Sequence, residues 1–363
     1  MSKGSKFQNS NFKLLFMGTP DFARIILKAL IIKGFSPVAV VTSPDKPIGR
    51  KQILTPSPVK KVALKYNIPV FQSFSVKDSN LKSKILNLKC DLIIVAAYGQ
   101  ILPKEILEIP KLSCVNVHAS LLPKYRGSSP IQAAILAGEK ETGVTIMLMD
   151  EGMDTGDILA QAKLKIAPQE TAASIHNKLA KLGAATLIKT LPKWLKGEIT
   201  PLSQKNKEAT YTKILTRQDG KIDWGKSAQE IERMIRAYTP WPGTFALLKI
   251  IPIQYLHPDD FFPISISKLK EIGIPIHREN KNKKIGKNKN EKLKRIKILR
   301  ARAKDLEIFL PSGKIFLTKD KELAVSCGKG YLILEKVQME GKKEITSQEF
   351  IRGHKEIIGN ILG

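Results

Sequence analysis

The chain has 363 residues, room for two domains with their own cores, and its 42% hydrophobic and 26% charged content is that of an ordinary globular protein. Three Cys (Cys90, Cys114, Cys327) and five unclustered His exclude a disulfide framework and a Cys-rich zinc site, and fit a reducing compartment. The 61 Lys and Arg against 33 Asp and Glu leave +28, which suits a polyanionic partner, nucleic acid before an anionic membrane surface; lysine-rich composition alone would give the same number.

Residues 1–11 are polar and lack the apolar stretch of a secretory leader, and the apolar run at 92–98 is far short of a membrane span. A soluble, cytoplasmic protein is expected. Residues 13–17 (KLLFM) read as a strand ending at Gly18. Thr19-Pro20-Asp21 then reads as a helix start, with Thr19 as N-cap, Pro20 in the first position and Asp21 in the first turn. Phe22, Ile25, Ile26, Ala29 and Leu30 follow at helical spacing, and Gly34 closes that helix. Further strands are predicted at 37–42 (PVAVVT), 92–97 (LIIVAA), 114–118 (CVNVH) and 142–149 (TGVTIMLM). Apolar strands separated by helix-length segments predict an α/β fold with a doubly wound, mostly parallel sheet.

A turn-rich stretch follows at 150–157 (DEGMDTGD), then a helix over 172–195 interrupted at Gly183, then polar residues without strong periodicity. The expected division is a first domain over 1–202, a linker over 203–218 and a second domain over 219–363. The second domain opens with a short helix at 229–237 and continues in short strand-like runs at 244–251, 306–310 and 331–337, the pattern of a smaller β-barrel. Between them, residues 278–304 hold 13 Lys and Arg against 2 Glu, a basic insertion whose Lys/Asn tract at 281–290 is expected to be a disordered loop.

The turn after the first strand lacks both G-x-G-x-x-G and G-x-x-x-x-G-K-[ST], which weighs against nicotinamide and nucleoside-triphosphate chemistry. The chemistry points to 114–157 instead. Asn116 and His118 are two apart in a strand and therefore share one face. They stand near its carboxyl end, where open α/β sheets bind ligands. Asp154 lies in the next strand's turn between Gly152 and Gly156, which free its carboxylate to turn inward. An amide to polarise a carbonyl, an imidazole to move a proton and a carboxylate to orient it suit acyl transfer. The same residues also fit a satisfied rim histidine, a loop-holding Asn and a turn-capping Asp. Only Ser120 stands near His118 as a nucleophile, which favours direct attack by a substrate amine over an acyl-enzyme.

At these residues the chain resembles a known family. The runs at 114–127 (CVNVHASLLPKYRG), 130–132 (PIQ) and 141–157, with 16–22 (FMGTPDF), 44–60, 97–103 (AYGQILP), 222–224 (IDW), 235–242 (IRAYTPWP) and 341–343, are similar to the folate-dependent formyltransferases. The likeness is greatest to the branch that formylates methionyl-tRNA. It implies a Rossmann-like formyltransferase domain followed by an OB-like barrel, with Asn116, His118 and Asp154 catalytic and Ser120, Leu121, Leu122 and Pro123 in contact with folate. The implied donor is 10-formyltetrahydrofolate, without a metal, and the implied acceptor is initiator methionyl-tRNA. Attack of its amine on the formyl carbon would be helped by Asn116 and His118 at the oxyanion, with Asp154 holding His118. The basic loop at 43–51 (SPDKPIGRK) would enter the tRNA acceptor end through Arg50, flanked by Lys46 and Lys51; the family's following glycine and paired lysines are replaced here by Lys51-Gln52-Ile53. In the second domain Arg233 and Arg236 precede Tyr238 and Trp241, a basic and aromatic group fit for RNA or for the core. A monomer is expected. The alternative reading is a formyltransferase acting on an amino sugar or another small amine.

Overall fold

The computed structural model describes residues 12–49, 51–248, 294–306 and 308–363. They divide into two units: one runs to Ile214 apart from residues 135–138, and the second comprises those four residues and Leu215–Gly363.

The strands of the first unit are β1 (Leu14–Gly18), β2 (Ala39–Thr42), β3 (Lys46–Ile48), β4 (Ile53–Thr55), β5 (Val70–Gln72), β6 (Leu92–Ala96), β7 (Cys114–His118), β8 (Arg126–Gly127), β9 (Glu141–Leu148), β10 (Ile158–Lys165) and β11 (Tyr211–Thr212). The helices up to residue 195 are α1 (Asp21–Ile32), α2 (Pro58–Lys65), α3 (Ser79–Leu88), α4 (Lys104–Leu107), α5 (Pro130–Leu136) and α6 (Ala172–Leu195). Seven strands form one sheet in the order β10-β9-β7-β6-β1-β2-β5. The run from β5 to β7 is parallel, so the sheet is mostly parallel and doubly wound; β9 turns antiparallel against β7 and β10 antiparallel against β9. β1 has a parallel neighbour on each side and all five of its residues are buried, which is why it reads as an unbroken apolar run.

Several local expectations change. Thr19 does not cap α1: the N-cap is Pro20, and the Thr19 hydroxyl instead accepts the Ser43 amide at 3.2 Å. Asp21 is paired with Arg24. Gly183 does not interrupt α6, which is continuous and begins in a capping box between Thr171 and Ser174. Within the loop at 43–51, Lys46–Ile48 form β3, one arm of an exposed hairpin paired with β4.

The second unit holds α7 (Ala228–Ala237), β12 (Thr244–Leu248), β13 (Lys294–Lys304), β14 (Ile315–Leu317), β15 (Leu323–Ser326), β16 (Tyr331–Met339), β17 (Ile345–Thr346) and α8 (Ser347–Gly353). The strands pair antiparallel in the order β12-β13-β16-β15-β14, with β17 on β16. The chain end draws the two edges together: Leu247 and Gly363 exchange backbone hydrogen bonds of 2.7 and 2.9 Å beside β12, and Leu362 donates to Gly313 beside β14. An antiparallel sheet curled this way hides its edges and becomes a small barrel. Its core gathers Trp224, Ile231, Ile235, Ile296, Ile298, Val325, Leu332 and Phe350.

Residues 306–310 form no strand among the described residues; Ile308 and Leu310 pack instead on a satellite cluster of Phe316, Ala324 and Ile333. Within 278–304, residues 278–293 lie outside the described residues, with the Lys/Asn tract among them, while residues 294–304 are β13. The alternation of that strand turns Ile296 and Ile298 into the core and leaves Arg295, Lys297, Arg300, Arg302 and Lys304 exposed.

Candidate active site

β7 carries two chemistries on two faces. Val117 packs under α6, where a Cβ added at Gly183 would stand 2.8 Å from its Cγ1, so the helix sits close only because that position is glycine. The opposite face presents Asn116 and His118, 9% and 6% exposed. The Asn116 carboxamide has no hydrogen-bond partner among the described residues.

His118 is flanked by two acceptors. Its Nε2 donates to the Tyr125 carbonyl at 3.0 Å, and its Nδ1 lies 3.6 Å from Asp154 Oδ2, close enough for an ion pair but beyond a hydrogen bond. Both flanking residues have left-handed backbones, with φ of +62° at Tyr125 and +55° at Asp154. The freedom expected of the flanking glycines is thus taken by Asp154 itself. Gly152 and Gly156 serve close approach: added Cβ atoms would lie 2.0 Å from the Thr155 hydroxyl and 2.0 Å from the Leu148 carbonyl. Asp154 Oδ2 also accepts the Gly127 amide at 2.7 Å.

Tyr125 is held at both ends. Its amide donates to Thr210 Oγ1 at 2.8 Å and its hydroxyl to Glu139 Oε1 at 2.7 Å. The tyrosine hydroxyl, with help from Lys124, holds the Glu139 carboxyl below its ordinary value; burial and the Glu139 charge push the Tyr125 phenol up.

The loop after β7 is built around Thr145, a fully buried hydroxyl in β9 opposite His118. Its Oγ1 donates to Ser120 O at 2.7 Å and accepts the Leu122 amide at 3.1 Å and Gln161 Nε2 at 3.0 Å. Gln161 also reaches Leu122 O at 2.8 Å. The Ser120 hydroxyl is turned inward, donating to Lys124 O at 2.6 Å. Leu122 is buried, whereas Leu121 and Pro123 are partly exposed; an added Cβ at Gly143 would stand 2.4 Å from Leu121 Cδ2, so that glycine makes room for the loop.

Sequence reasoning missed the residues that support this group. Arg126 is 1% exposed and donates to Gln204 Oε1, Asn206 Oδ1 and the Tyr211 hydroxyl. Gln204 Nε2 donates to the carbonyls of Asp154 at 2.9 Å and Gly156 at 2.7 Å. The only signals in the sequence are an arginine inside an otherwise turn-like run and a threonine inside an apolar strand.

Away from this cluster, Lys46 is exposed on β3 and Lys51 is exposed at the hairpin turn; Arg50 lies outside the described residues. In the second unit Arg236 is paired with Glu232 at 2.6 Å, Arg233 donates to Leu136 O, and Tyr238 is buried while Trp241 is half exposed. Among the described residues no group of three or more His, Cys, Asp or Glu could hold a metal ion, and no helix is long and apolar enough to cross a membrane.

The chain matches the formyl transferase family over residues 11–191 and the formyl transferase C-terminal domain over 214–260 and 282–355, a pattern that passes over 261–281. A methionyl-tRNA formyltransferase of Alkaliphilus oremlandii is 41% identical over 351 residues, covering 97% of this chain and 99% of its own. One of Halalkalibacterium halodurans is 49% identical over 242 residues, covering 67% of this chain and 76% of its own. Among solved structures, an N-formyltransferase from Helicobacter canadensis in complex with folinic acid and dTDP-3-aminofucose has a TM-score of 0.57 at 20% identity, covering 92% of this chain and 100% of that one. That likeness is one of fold. With both domain patterns matched and relatives about 40% identical along nearly the whole length, the chain belongs to the formyltransferases, in the methionyl-tRNA formyltransferase family.

Proposed function

We propose that the chain transfers the formyl group of 10-formyltetrahydrofolate to the amino group of initiator methionyl-tRNA in the cytoplasm, with Asn116, His118 and Asp154 as its catalytic set. The acceptor follows from the full-length relatives. The chemistry follows from one observation: an unpartnered, nearly buried carboxamide one pleat from an imidazole that faces a carboxylate.

The donor set fits a formyl carbonyl. The methionyl amine, with an ordinary α-amino pKa of about 7.7–8.0, is partly neutral near pH 7 and attacks the formyl carbon. A C–N bond forms and the carbonyl oxygen gains negative charge. Collapse breaks the bond to the donor nitrogen, which takes a proton as the amine loses one. The Asn116 amide, with no competing partner, donates to the oxyanion; removing one such donor typically costs ~10²–10³ in rate. A neutral imidazole has one N–H, and the Tyr125 carbonyl claims it at Nε2. Nδ1 is the less committed edge. Protonated there, the ring points a second N–H between Asp154 and the reacting centre, and the carboxylate opposite stabilises that cation.

Leu121 and Pro123 offer partly exposed apolar surface to the folate, while Ser120 and Leu122 act by shaping the loop. Lys46 and Lys51 on the β3–β4 hairpin, together with Arg50, take the tRNA acceptor end, and the exposed basic face of β13 attracts the RNA backbone. All three catalytic residues come from one unit, so a single chain suffices.

Incubation with formyl donor and Met-charged initiator tRNA tests this, scored for formylmethionine beside uncharged tRNA and a dTDP-amino sugar. Wild type should formylate only the charged tRNA. Asn116→Ala and His118→Ala should lose ~10²-fold or more while remaining folded. Formylation of the sugar in place of the tRNA would overturn the assigned acceptor, and full activity in His118→Ala would overturn the assigned chemistry.

A further inference from the structure

We propose that Gln204 is a positioning residue for His118, and that the segment from Gln204 to Thr212 is the brace on which the catalytic geometry rests. The inference rests on His118 belonging to the catalytic set.

Both groups facing His118 belong to residues with left-handed backbones, and neither is glycine. Such conformations persist only where surrounding contacts hold them. Here one short segment supplies the contacts to both. Gln204 Nε2 donates to Asp154 O and Gly156 O, clasping the turn that aims the Asp154 carboxylate. Six residues on, Thr210 Oγ1 accepts the Tyr125 amide and Thr210 O accepts the Arg126 amide at 2.8 Å, fixing the peptide whose carbonyl meets Nε2. Thr212 extends the tie, its Oγ1 accepting the Ser129 amide at 3.0 Å and donating to Arg126 O at 3.1 Å.

Arg126 fixes which way the Gln204 amide points. A guanidinium only donates, so its Nε and Nη2, at 3.2 and 2.9 Å, demand the amide oxygen. The amide nitrogen is thereby forced toward the two carbonyls. Among the described residues this buried cation has no carboxylate within ion-pair distance; its partners are the Gln204 and Asn206 amide oxygens and the Tyr211 hydroxyl. A guanidinium with neutral partners holds the amide without competing for Asp154's charge.

The test is Gln204→Glu. The new carboxylate keeps an oxygen for Arg126 and gains an ion pair, but faces the Asp154 and Gly156 carbonyls with an oxygen in place of a donor. We expect kcat for formyl transfer to fall ~10–100-fold, the scale of a misplacement near 1 Å, with KM for the folate donor within twofold of wild type. The ¹⁵N resonances of the His118 imidazole should move while the circular dichroism spectrum stays that of wild type. Gln204→Met, of similar length but without hydrogen bonds or charge, should give the same loss and guards against a folding defect peculiar to the acid. Wild-type kcat in either folded variant, or unmoved imidazole resonances, overturns the proposal. A wild-type chain that transfers no formyl group, in which Gln204→Glu still moves the His118 resonances, would sink the proposed reaction and support the brace.

Discussion

Thr145→Val replaces one hydroxyl with a methyl group of the same shape at a fully buried site. The hydroxyl serves three groups, and the substitution treats them unequally. Gln161 Nε2 keeps its bond to Leu122 O, so it is not orphaned. Ser120 O and the Leu122 amide lose the side-chain partner that the structure gives them. Leaving a buried polar group unmet costs about 1–3 kcal/mol, so two cost about 2–6 kcal/mol. The added methyl returns up to about 0.8 kcal/mol of apolar burial. A net destabilisation of about 1–5 kcal/mol is therefore expected in the first unit. It should be concentrated in the loop at 120–123, beside the proposed folate contacts. Because the chain has two units, a single unfolding midpoint is a poor reporter. Hydrogen exchange followed by mass spectrometry reads the segments separately: the peptide containing Leu122 should lose protection, peptides of the barrel should not, and KM for the formyl donor should rise. Thr145→Ser keeps the hydroxyl and should retain donor affinity. Wild-type protection at Leu122 together with wild-type KM in Thr145→Val would refute the idea that this hydroxyl holds the loop.

Arg50→Ala should raise KM for charged tRNA about tenfold, the worth of one charge-assisted contact, and leave KM for folate within twofold; equal losses on both substrates would remove the hairpin from the tRNA site. Glu139→Gln tests the support of Tyr125. The Glu139 carboxyl is held below its ordinary value of 4.5, chiefly by the Tyr125 hydroxyl, so its contribution to stability is present above that value and is lost as pH falls through the lower folded one. The difference in hydrogen-exchange protection of the first unit between wild type and Glu139→Gln should be constant above 4.5 and shrink as pH falls below it; a difference that persists undiminished in acid would show that the charge of Glu139 is irrelevant.

What the sequence made legible is what strand and helix periodicity encode. β7 was readable to the residue because it is central: its neighbours are fixed on both sides, and alternation alone separates Val117 from Asn116 and His118. β10 was not, because it is an edge strand whose exposed positions carry Gln161, Lys163 and Lys165, and its alternation is polar enough to pass for loop. The β3–β4 hairpin buries almost nothing, so no apolar pattern marks it. Asp154 illustrates a different limit. The sequence showed a carboxylate between two glycines, but which of the residues bends left is decided by Gln204, fifty positions away, and by the closeness of the Leu148 carbonyl. Tyr125 acts on His118 through a backbone carbonyl, an atom every residue has, so no residue type announces it.

The excess of positive charge poses a question that composition could not settle, and β13 bears on it. Lysines accumulated without function would scatter over exposed positions. Here Arg295, Lys297, Arg300, Arg302 and Lys304 stand on the exposed side of one strand. Arg300 and Arg302 pair with Glu335, and Arg302 also with Glu322, while the Arg295 guanidinium lies over the Phe245 ring. These exposed pairs are worth about 0–1 kcal/mol each, too little to justify both arginines on stability alone. They are strong enough to keep long side chains extended and weak enough to yield to a phosphate, which returns the cost by releasing counterions from the nucleic acid. Under the proposed function this face meets the RNA backbone, and here Lys297 and Lys304 have no acidic partner among the described residues.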